Sequence, residues 1–437
     1  MKSEREPNDR GSGSLSIVVV GLWHLGTVTA ACCARHFRVA GLDDDTANIA
    51  RLSEGKAPLF ESGLNELLAA GLQSKRLSFT TDPASACAEA DVVWLCADTP
   101  VNEDDESEVD AVLAQLRCAL ASTAPGTLVL ISAQLPVGTC AALEREFPDF
   151  QFACSPENLR LGKAIESFEK ADRVVIGTRS EQRRELLQEL FAPFTSQILF
   201  MRTESAEMVK HALNSFLAVS VTFINEIARL CELTGADAKE VSAGLKSEPR
   251  IGLRAYLGPG GPFAGGTLAR DVVTLTKLGR SRNEPLSLIP AIKQSNDLHR
   301  GWMFRRLQMR LGELRAKTIT VLGLTYKPGT DTLRRSAAVE LCHQLLRAGA
   351  RVRAFDPLVK TSAAGLEQVA VLANVEEAVN DADAVVLCTE WPEFRDAPWP
   401  KLVSRMRSPI VVDANRFLEK ELKDMPGVEH LSVGRAL

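Results

Sequence analysis

This 437-residue chain as a whole has no excess of positive charge. Lys and Arg number 51 against 56 Asp and Glu, a formal net charge of −5, so no basic surface advertises nucleic acid as a partner. Metal-ligand spacing is also lacking. The ten cysteines are scattered, the adjacent Cys32 and Cys33 cannot form a zinc finger, and the six histidines show no ligand cluster. No metal is expected, and His211 and His299 read most simply as helix-surface residues. A cleavable leader is lacking as well: residues 1–14 are polar and rich in Gly and Ser, the composition of a disordered tail. The cysteines therefore read as reduced thiols of a cytoplasmic protein.

One stretch lacks charge altogether. Leu15 to Ala34, "LSIVVVGLWHLGTVTAACCA", is long enough to span a bilayer. Two glycines and a β-branched start divide it into strand, tight turn and helix, so no membrane partner is expected. The remainder is ordinary for a globular protein, 45% hydrophobic and 24% charged, and the length suffices for two or three domains.

Apolar runs alternate with helical patterns through the first half. "SIVVVG", "RVAGLD", "DVVWLC", "TLVLIS" and "DRVVIG" read as buried parallel strands. From Glu204 the chain runs without Pro or Gly to Gly235, with apolar residues at helical spacing, which predicts a long helix buried on more than one side. More helix is expected to about Ala316. Strand signals return in "TITVLG", "ARVRAFD", "DAVVLCTE" and "PIVVDAN". This last third echoes the first: "IVVVGL" leads to "VAGLDDD" as "ITVLGL" leads to "VRAFDP". The expected fold is α/β, two Rossmann-like doubly wound parallel-sheet domains (15–203 and 317–437) flanking a helical central domain (204–316). Two unrelated α/β domains are the blander reading of the echo.

Gly21 follows the first strand, Gly26 opens a helix, and Asp43 ends the next strand. A dinucleotide fold needs a tight turn, bare backbone near a pyrophosphate at a helix N-terminus, and an acid about 20 residues on for the ribose. The middle glycine of GxGxxG is missing, because "GLWHLG" carries Trp23 there. Either the loop opens, or the cofactor binds differently or weakly; a plain βαβ turn would also explain the motif. Asp43 favours NAD over NADP, whose 2′-phosphate it would repel.

The order of motifs adds to this. "VAGLDDD", "PLFESGLNELL", "ADTP", "PVGT", "SPENLRLGKAI", "EMVKHALNSFLAVSVTFINEIA", "GPGGPFAGGTLARD", "VLGLTYKPGTDTLRRS" and "TEWPEF" follow one another as in the UDP-glucose/GDP-mannose dehydrogenase family, which the chain resembles from about residue 15 to 430. Family members oxidise the C6 alcohol of a nucleotide-linked hexose to a carboxylate with two NAD. A cysteine captures the intermediate aldehyde, because a thiol is partly ionised near neutral pH and leaves readily as thiolate.

The resemblance implies catalytic roles for Lys210 and Asn214, four apart on one helix face, and for Asp271, Glu157 and Thr267. Lys210 has a surface-lysine alternative, but the flanking Val209 and Leu213 favour a half-buried position. Gly21, Trp23, Leu25, Gly26, Asp43, Thr99 and Gln134 are implied at the cofactor. Arg160, Arg250, Tyr256, Gly265, Tyr326, Lys327, Arg334 and Arg416 are implied at the substrate, with Arg250 reaching a neighbouring subunit's substrate. The family's "DGR" reads "DANR" here, so Arg416 stands one place late, and a solvated surface charge is its alternative reading. UDP is the favoured nucleotide, and the apolar long helix suggests a homodimer.

The departures are informative too. The cysteine position reads Thr267, the family's second Glu reads Leu161, and a threonine before "PVGT" reads Gln134. Arg270 replaces a Lys. No cysteine lies between Cys231 and Cys342, and Cys154, best read as an ordinary buried cysteine, is the one thiol near the site motifs. The losses cluster on aldehyde capture and thioester hydrolysis. The expected outcome is one reversible oxidation without acid formation. A full dehydrogenase with another nucleophile, a redox-neutral epimerase and a non-catalytic nucleotide-sugar binding protein are the alternatives.

Overall fold

The computed structural model describes residues 15–102, 104–157, 159–160, 162–263, 266–360 and 365–436. The tail expected at 1–14 and the positions of Leu161 and Gly265 lie outside them. The described residues fall into two compact units, one ending at Ala212 and one starting at Leu213.

The first unit holds an eight-stranded sheet: β1 (Ser16–Val20), β2 (Arg38–Leu42), β3 (Leu77–Thr80), β4 (Val92–Leu95), β5 (Leu128–Ile131), β6 (Gln151–Cys154), β7 (Val174–Thr178) and β8 (Ile198–Met201). Its order is β3-β2-β1-β4-β5-β6-β7-β8. Both faces are covered, as a parallel sheet requires. Alternate residues of β1 feed the two cores: Ile17 and Val19 join one apolar cluster, Val18 and Val20 the other. The uncharged stretch from Leu15 divides as its glycines imply, into β1 and the helix His24–Cys33, nine of whose ten residues are buried. No described helix is long and apolar enough to cross a membrane.

One strand departs from the parallel expectation. "DRVVIG" forms β7, which runs antiparallel to β6 and parallel to β8. The chain between β6 and β7 is spent on the loop beginning at Ser155 and a helix of only six residues, Ala164–Glu169, and it reverses instead of crossing over.

The long helix spans Thr203–Thr234 and stops where Gly235, at φ +78°, closes it in the left-handed conformation. The second unit continues with helices Ala238–Ser247, Gly266–Ser281, Leu288–Arg300 and Trp302–Leu311. A parallel six-stranded sheet follows: β9 (Thr318–Leu322), β10 (Arg351–Phe355), β11 (Ala370–Val371), β12 (Ala384–Leu387), β13 (Ile410–Asp413) and β14 (Glu429–Leu431), in the order β11-β10-β9-β12-β13-β14. Each sheet reverses strand order beside its first strand, β1 or β9, which opens a crevice at the carboxyl ends of the strands.

Candidate active site

The crevice of the first sheet is built by the turn after β1. Gly21 has φ +86°, and a Cβ there would lie 2.6 Å from Ala97, so only glycine fits. A Cβ on Gly26 would meet the Gly21 carbonyl oxygen at 1.7 Å. These two glycines leave bare backbone at the start of the helix His24–Cys33, as a dinucleotide diphosphate needs. Trp23 is the residue before that helix. Its side chain caps nothing and is 50% exposed. Asp43 accepts the Leu22 N–H at 2.6 Å and the Asp45 N–H at 3.0 Å. Burial pushes its carboxyl above the ordinary value, against the pull of those two hydrogen bonds.

The second sheet repeats this turn with a different outcome. Gly323 has φ +83° and its Cβ would lie 2.5 Å from Thr389. Asp356 takes the place of Asp43 and is fully buried. It accepts the N–H groups of Leu324, Thr325, Leu358 and Val359, the Thr325 hydroxyl and the Trp391 indole. Asp356 therefore works as a structural anchor, whereas Asp43 retains an exposed side.

Around the first crevice the side chains are tied to backbone. The Thr99 hydroxyl donates to the Gln134 carbonyl at 2.8 Å. The Gln134 side-chain amide donates to His211 Nδ1 at 3.4 Å, and His211 Nε2 donates to the Leu135 carbonyl at 3.0 Å. His211 is buried, which overturns its reading as a helix-surface residue: the long helix presses this face on the sheet. Glu207, one turn earlier, accepts the N–H groups of Gly138 (2.6 Å) and Cys140 (2.9 Å), so "PVGT" is held at the start of the helix Thr139–Glu146.

Lys210 is buried, so its surface alternative is overturned too. Its ammonium donates to the Glu157 carbonyl at 2.7 Å and lies 3.3 Å from the Glu157 carboxylate. The other Glu157 oxygen accepts the Leu159 N–H at 2.7 Å. Glu61, in "PLFESG", accepts the N–H groups of Gly162 and Ala164 and pairs with His24. Cys154 is buried at the end of β6, in the apolar cluster that also holds Cys140. Arg160 is exposed in the loop that follows.

In the second unit Asn214 donates its amide to Asp271, whose carboxylate is fully buried. Arg270 lies 3.8 Å from the other Asp271 oxygen. Thr267, the second residue of the helix Gly266–Ser281, is exposed. The glycine loop before it is held by four side chains that sequence reading did not single out as partners. Asn225 accepts the Gly260 N–H and donates to the Gly261 carbonyl. Asn296 accepts from and donates to Phe263. Asn415 accepts the Gly261 N–H at 2.6 Å. His299 donates from Nε2 to the Gly260 carbonyl at 2.8 Å and accepts from Arg229 at Nδ1. His299 is buried, so its helix-surface reading is overturned as well. Burial lowers its pKa to about 4.

At the substrate end, Tyr326 and Arg334 are exposed and Lys327 is half-buried. Partial burial of Tyr326, which remains 38% exposed, raises its hydroxyl pKa. Tyr256 is exposed, and Arg250 pairs with Glu248 two residues away. Arg416 departs from its surface reading. It is buried, which excludes a solvated surface charge, and its terminal nitrogens donate to Asp237 at 2.8 Å and to the Val433 and Gly434 carbonyls. It ties the C-terminal turn to the helix Ala238–Ser247, and it is Asn415, in "DANR", that meets the glycine loop.

Three family models match in succession: the NAD binding domain of the UDP-glucose/GDP-mannose dehydrogenase family over residues 15–195, its central domain over 204–298 and its UDP binding domain over 320–420. The UDP-glucose 6-dehydrogenase of Rhizobium meliloti is 35% identical over 96% of this chain and 100% of its own length. That of Pseudomonas aeruginosa is 33% identical over 96% and 98%. A solved UDP-glucose dehydrogenase from Pyrobaculum islandicum superposes with a TM-score of 0.88 at 30% identity, covering 98% of this chain and 99% of that one.

Proposed function

The chain belongs to the UDP-glucose/GDP-mannose dehydrogenase family, NAD-dependent oxidoreductases of nucleotide sugars, and from that premise we propose that it oxidises a CH–OH group of a UDP-hexose by one two-electron step and stops short of the acid. The observation that carries the reading is a split in the machinery. Lys210, Asn214 and Asp271 are buried and Glu157 is half-buried, and each is hydrogen-bonded. The position matched to the family's cysteine holds the exposed hydroxyl of Thr267.

NAD, when bound, accepts the hydride. Gly21, Gly26 and Asp43 fit it, since the two glycines bring no side chain to the turn and an acid ends the second strand. In this reading the alcohol oxygen would lose its proton to solvent water as the hydride leaves its carbon. The Lys210 ammonium stabilises the developing alkoxide, and the Asn214 amide, one helical turn on, hydrogen-bonds the same oxygen. Asp271 orients Asn214, and Glu157 orients Lys210. A carbonyl product then forms and leaves. A threonine hydroxyl ionises far above neutrality and is not a good leaving group, so it does not carry the product to a thioester-like stage. Cys154 does not take over that role, because it is buried in an apolar cluster at the end of β6.

Trp23, Leu25, Thr99 and Gln134 complete the proposed cofactor site, and Arg160, Arg250, Tyr256, Tyr326, Lys327 and Arg334 the proposed substrate site. The proposed division is 15–203 for the cofactor, 204–316 for the centre and 317–437 for the UDP-sugar. Phe216, Phe223 and Leu230 are exposed at seven-residue spacing on the long helix, with Leu233 beside them, which supports a homodimer along that face. All ten cysteines are free, which suits a reducing compartment, and the cytoplasm is the proposed setting.

The names of the relatives favour the second reading, complete oxidation at C6. Counting NADH formed per UDP-hexose consumed, together with product mass, separates the two. One NADH and a loss of two hydrogens supports the proposal; two NADH and a uronic acid rejects it. No NADH but a mass-neutral isomer would identify an epimerase.

A further inference from the structure

The Leu25 N–H already has an anion for a partner. Asp98 Oδ2 lies 3.3 Å from it. Leu25 is the second residue of the helix His24–Cys33, so its N–H is one of the first-turn donors that find no acceptor inside the helix. The helix has no acidic residue of its own in that turn. Asp98 arrives from the neighbouring strand. β4 pairs with β1 in the register Val20↔Leu95, which carries residues 96–99 to the same crevice as the Gly21 turn. Both strands are buried, and Ala97 backs directly on Gly21. The carboxylate is therefore delivered to the helix start by the rigid part of the fold.

A dinucleotide diphosphate calls on the same donors, since bare N–H groups and the positive end of the helix dipole are what bind it at such a turn. Two side-chain carboxylates already use this one: Asp43 on the Leu22 N–H and Asp98 on the Leu25 N–H. Asp43 has a place in the bound arrangement, beside the ribose. Asp98 has none, because it is a negative charge where a second negative charge must come. We propose that Asp98 is a built-in anionic competitor for the diphosphate position, and that it sets how tightly this chain holds NAD. For NAD to seat, the Asp98 side chain must rotate off Leu25. The missing middle glycine at Trp23 drew attention to this turn in the sequence, but the residue that restrains the cofactor is Asp98, 75 positions later.

The test is calorimetric titration of the full chain and of Asp98→Asn and Asp98→Ser with three probes: NAD, ADP-ribose and adenosine. Asparagine keeps an acceptor for Leu25 without the charge; serine removes the bulk as well. Removing one charge from a helix N-terminus should tighten NAD and ADP-ribose by about tenfold in both variants, and leave adenosine, which has no phosphate, unchanged. An unchanged or weakened Kd for NAD in both variants would overturn the proposal. So would a parallel shift in adenosine, which would make Asp98 a residue that shapes the pocket. Binding of NAD by none of the three proteins would overturn it too, since removing the charge would have released nothing.

Discussion

Lys210 holds Glu157 at two points, its ammonium donating to the backbone carbonyl at 2.7 Å and pairing with the carboxylate at 3.3 Å. The loop that follows β6 is thus fixed by the helix that carries Asn214 one turn later. In the proposed reaction Lys210 stabilises the developing negative charge, so its removal should act on the chemical step. Lys210→Met keeps the stem and loses the charge. We expect kcat for NADH formation to fall by about 10²- to 10³-fold, with little change in KM. Steady-state kinetics on the best UDP-hexose checks this. A raised KM with kcat intact would make Lys210 a binding residue only.

Thr267 yields a gain-of-function test. Thr267→Ala should leave the rate of the first oxidation within a few-fold of the parent, because the hydroxyl is assigned no step. Thr267→Cys should place a reactive thiol on the exposed first turn of its helix, where N-terminal amides favour the thiolate. Iodoacetamide labelling at that residue, read by peptide mass, and an NADH yield rising above one per sugar are the expected results. Loss of all activity in Thr267→Ala would assign the hydroxyl to the first oxidation.

The strands readable from sequence were those that carry their own signal. β1, β2, β4, β5, β7, β9, β10, β12 and β13 are apolar runs flanked by turn residues, and all are strands. β3, β6, β8, β11 and β14 were not singled out. They have two to four residues each, and "QFAC" of β6 owes its place to the register with β5, which sequence does not display. The site divides the same way. Lys210, Asn214 and Asp271 were legible because motifs mark them. The clamp on the glycine loop was not, because Asn225, Asn296, His299 and Asn415 come from three distant segments. Burial of His211, His299 and Arg416 was missed for a related reason. Each hydrogen-bonds to carbonyls that only the fold brings near.

The exposed row of Phe216, Phe223 and Leu230 gives a prediction about assembly. Three large apolar side chains in line on one helix favour coverage by a second copy. Phe223→Glu combined with Leu230→Glu should convert a dimer to a monomer in light scattering at micromolar concentration. Retention of the dimer would place the interface elsewhere.

His299 links stability to pH through the glycine loop. Its Nε2–H is committed to the Gly260 carbonyl and its Nδ1 to the Arg229 guanidinium, so protonation at Nδ1 would break the second bond and set two cations together. Burial lowers its pKa from 6.5 to about 4 in the folded chain, with the charges of Arg229 and Arg305 adding to that. Between these values the unfolded chain holds a proton that the folded chain refuses. The contribution is therefore whole above pH 6.5 and is lost as pH falls toward 4, by an amount on the order of 3 kcal/mol at most. Gln in place of His supplies one donor and one acceptor that do not titrate. His299→Gln should lower the thermal midpoint at pH 7.5 somewhat, but the further drop between pH 7.5 and 5 should be smaller than in the parent. Equal drops in the two proteins would mean that another group governs this range.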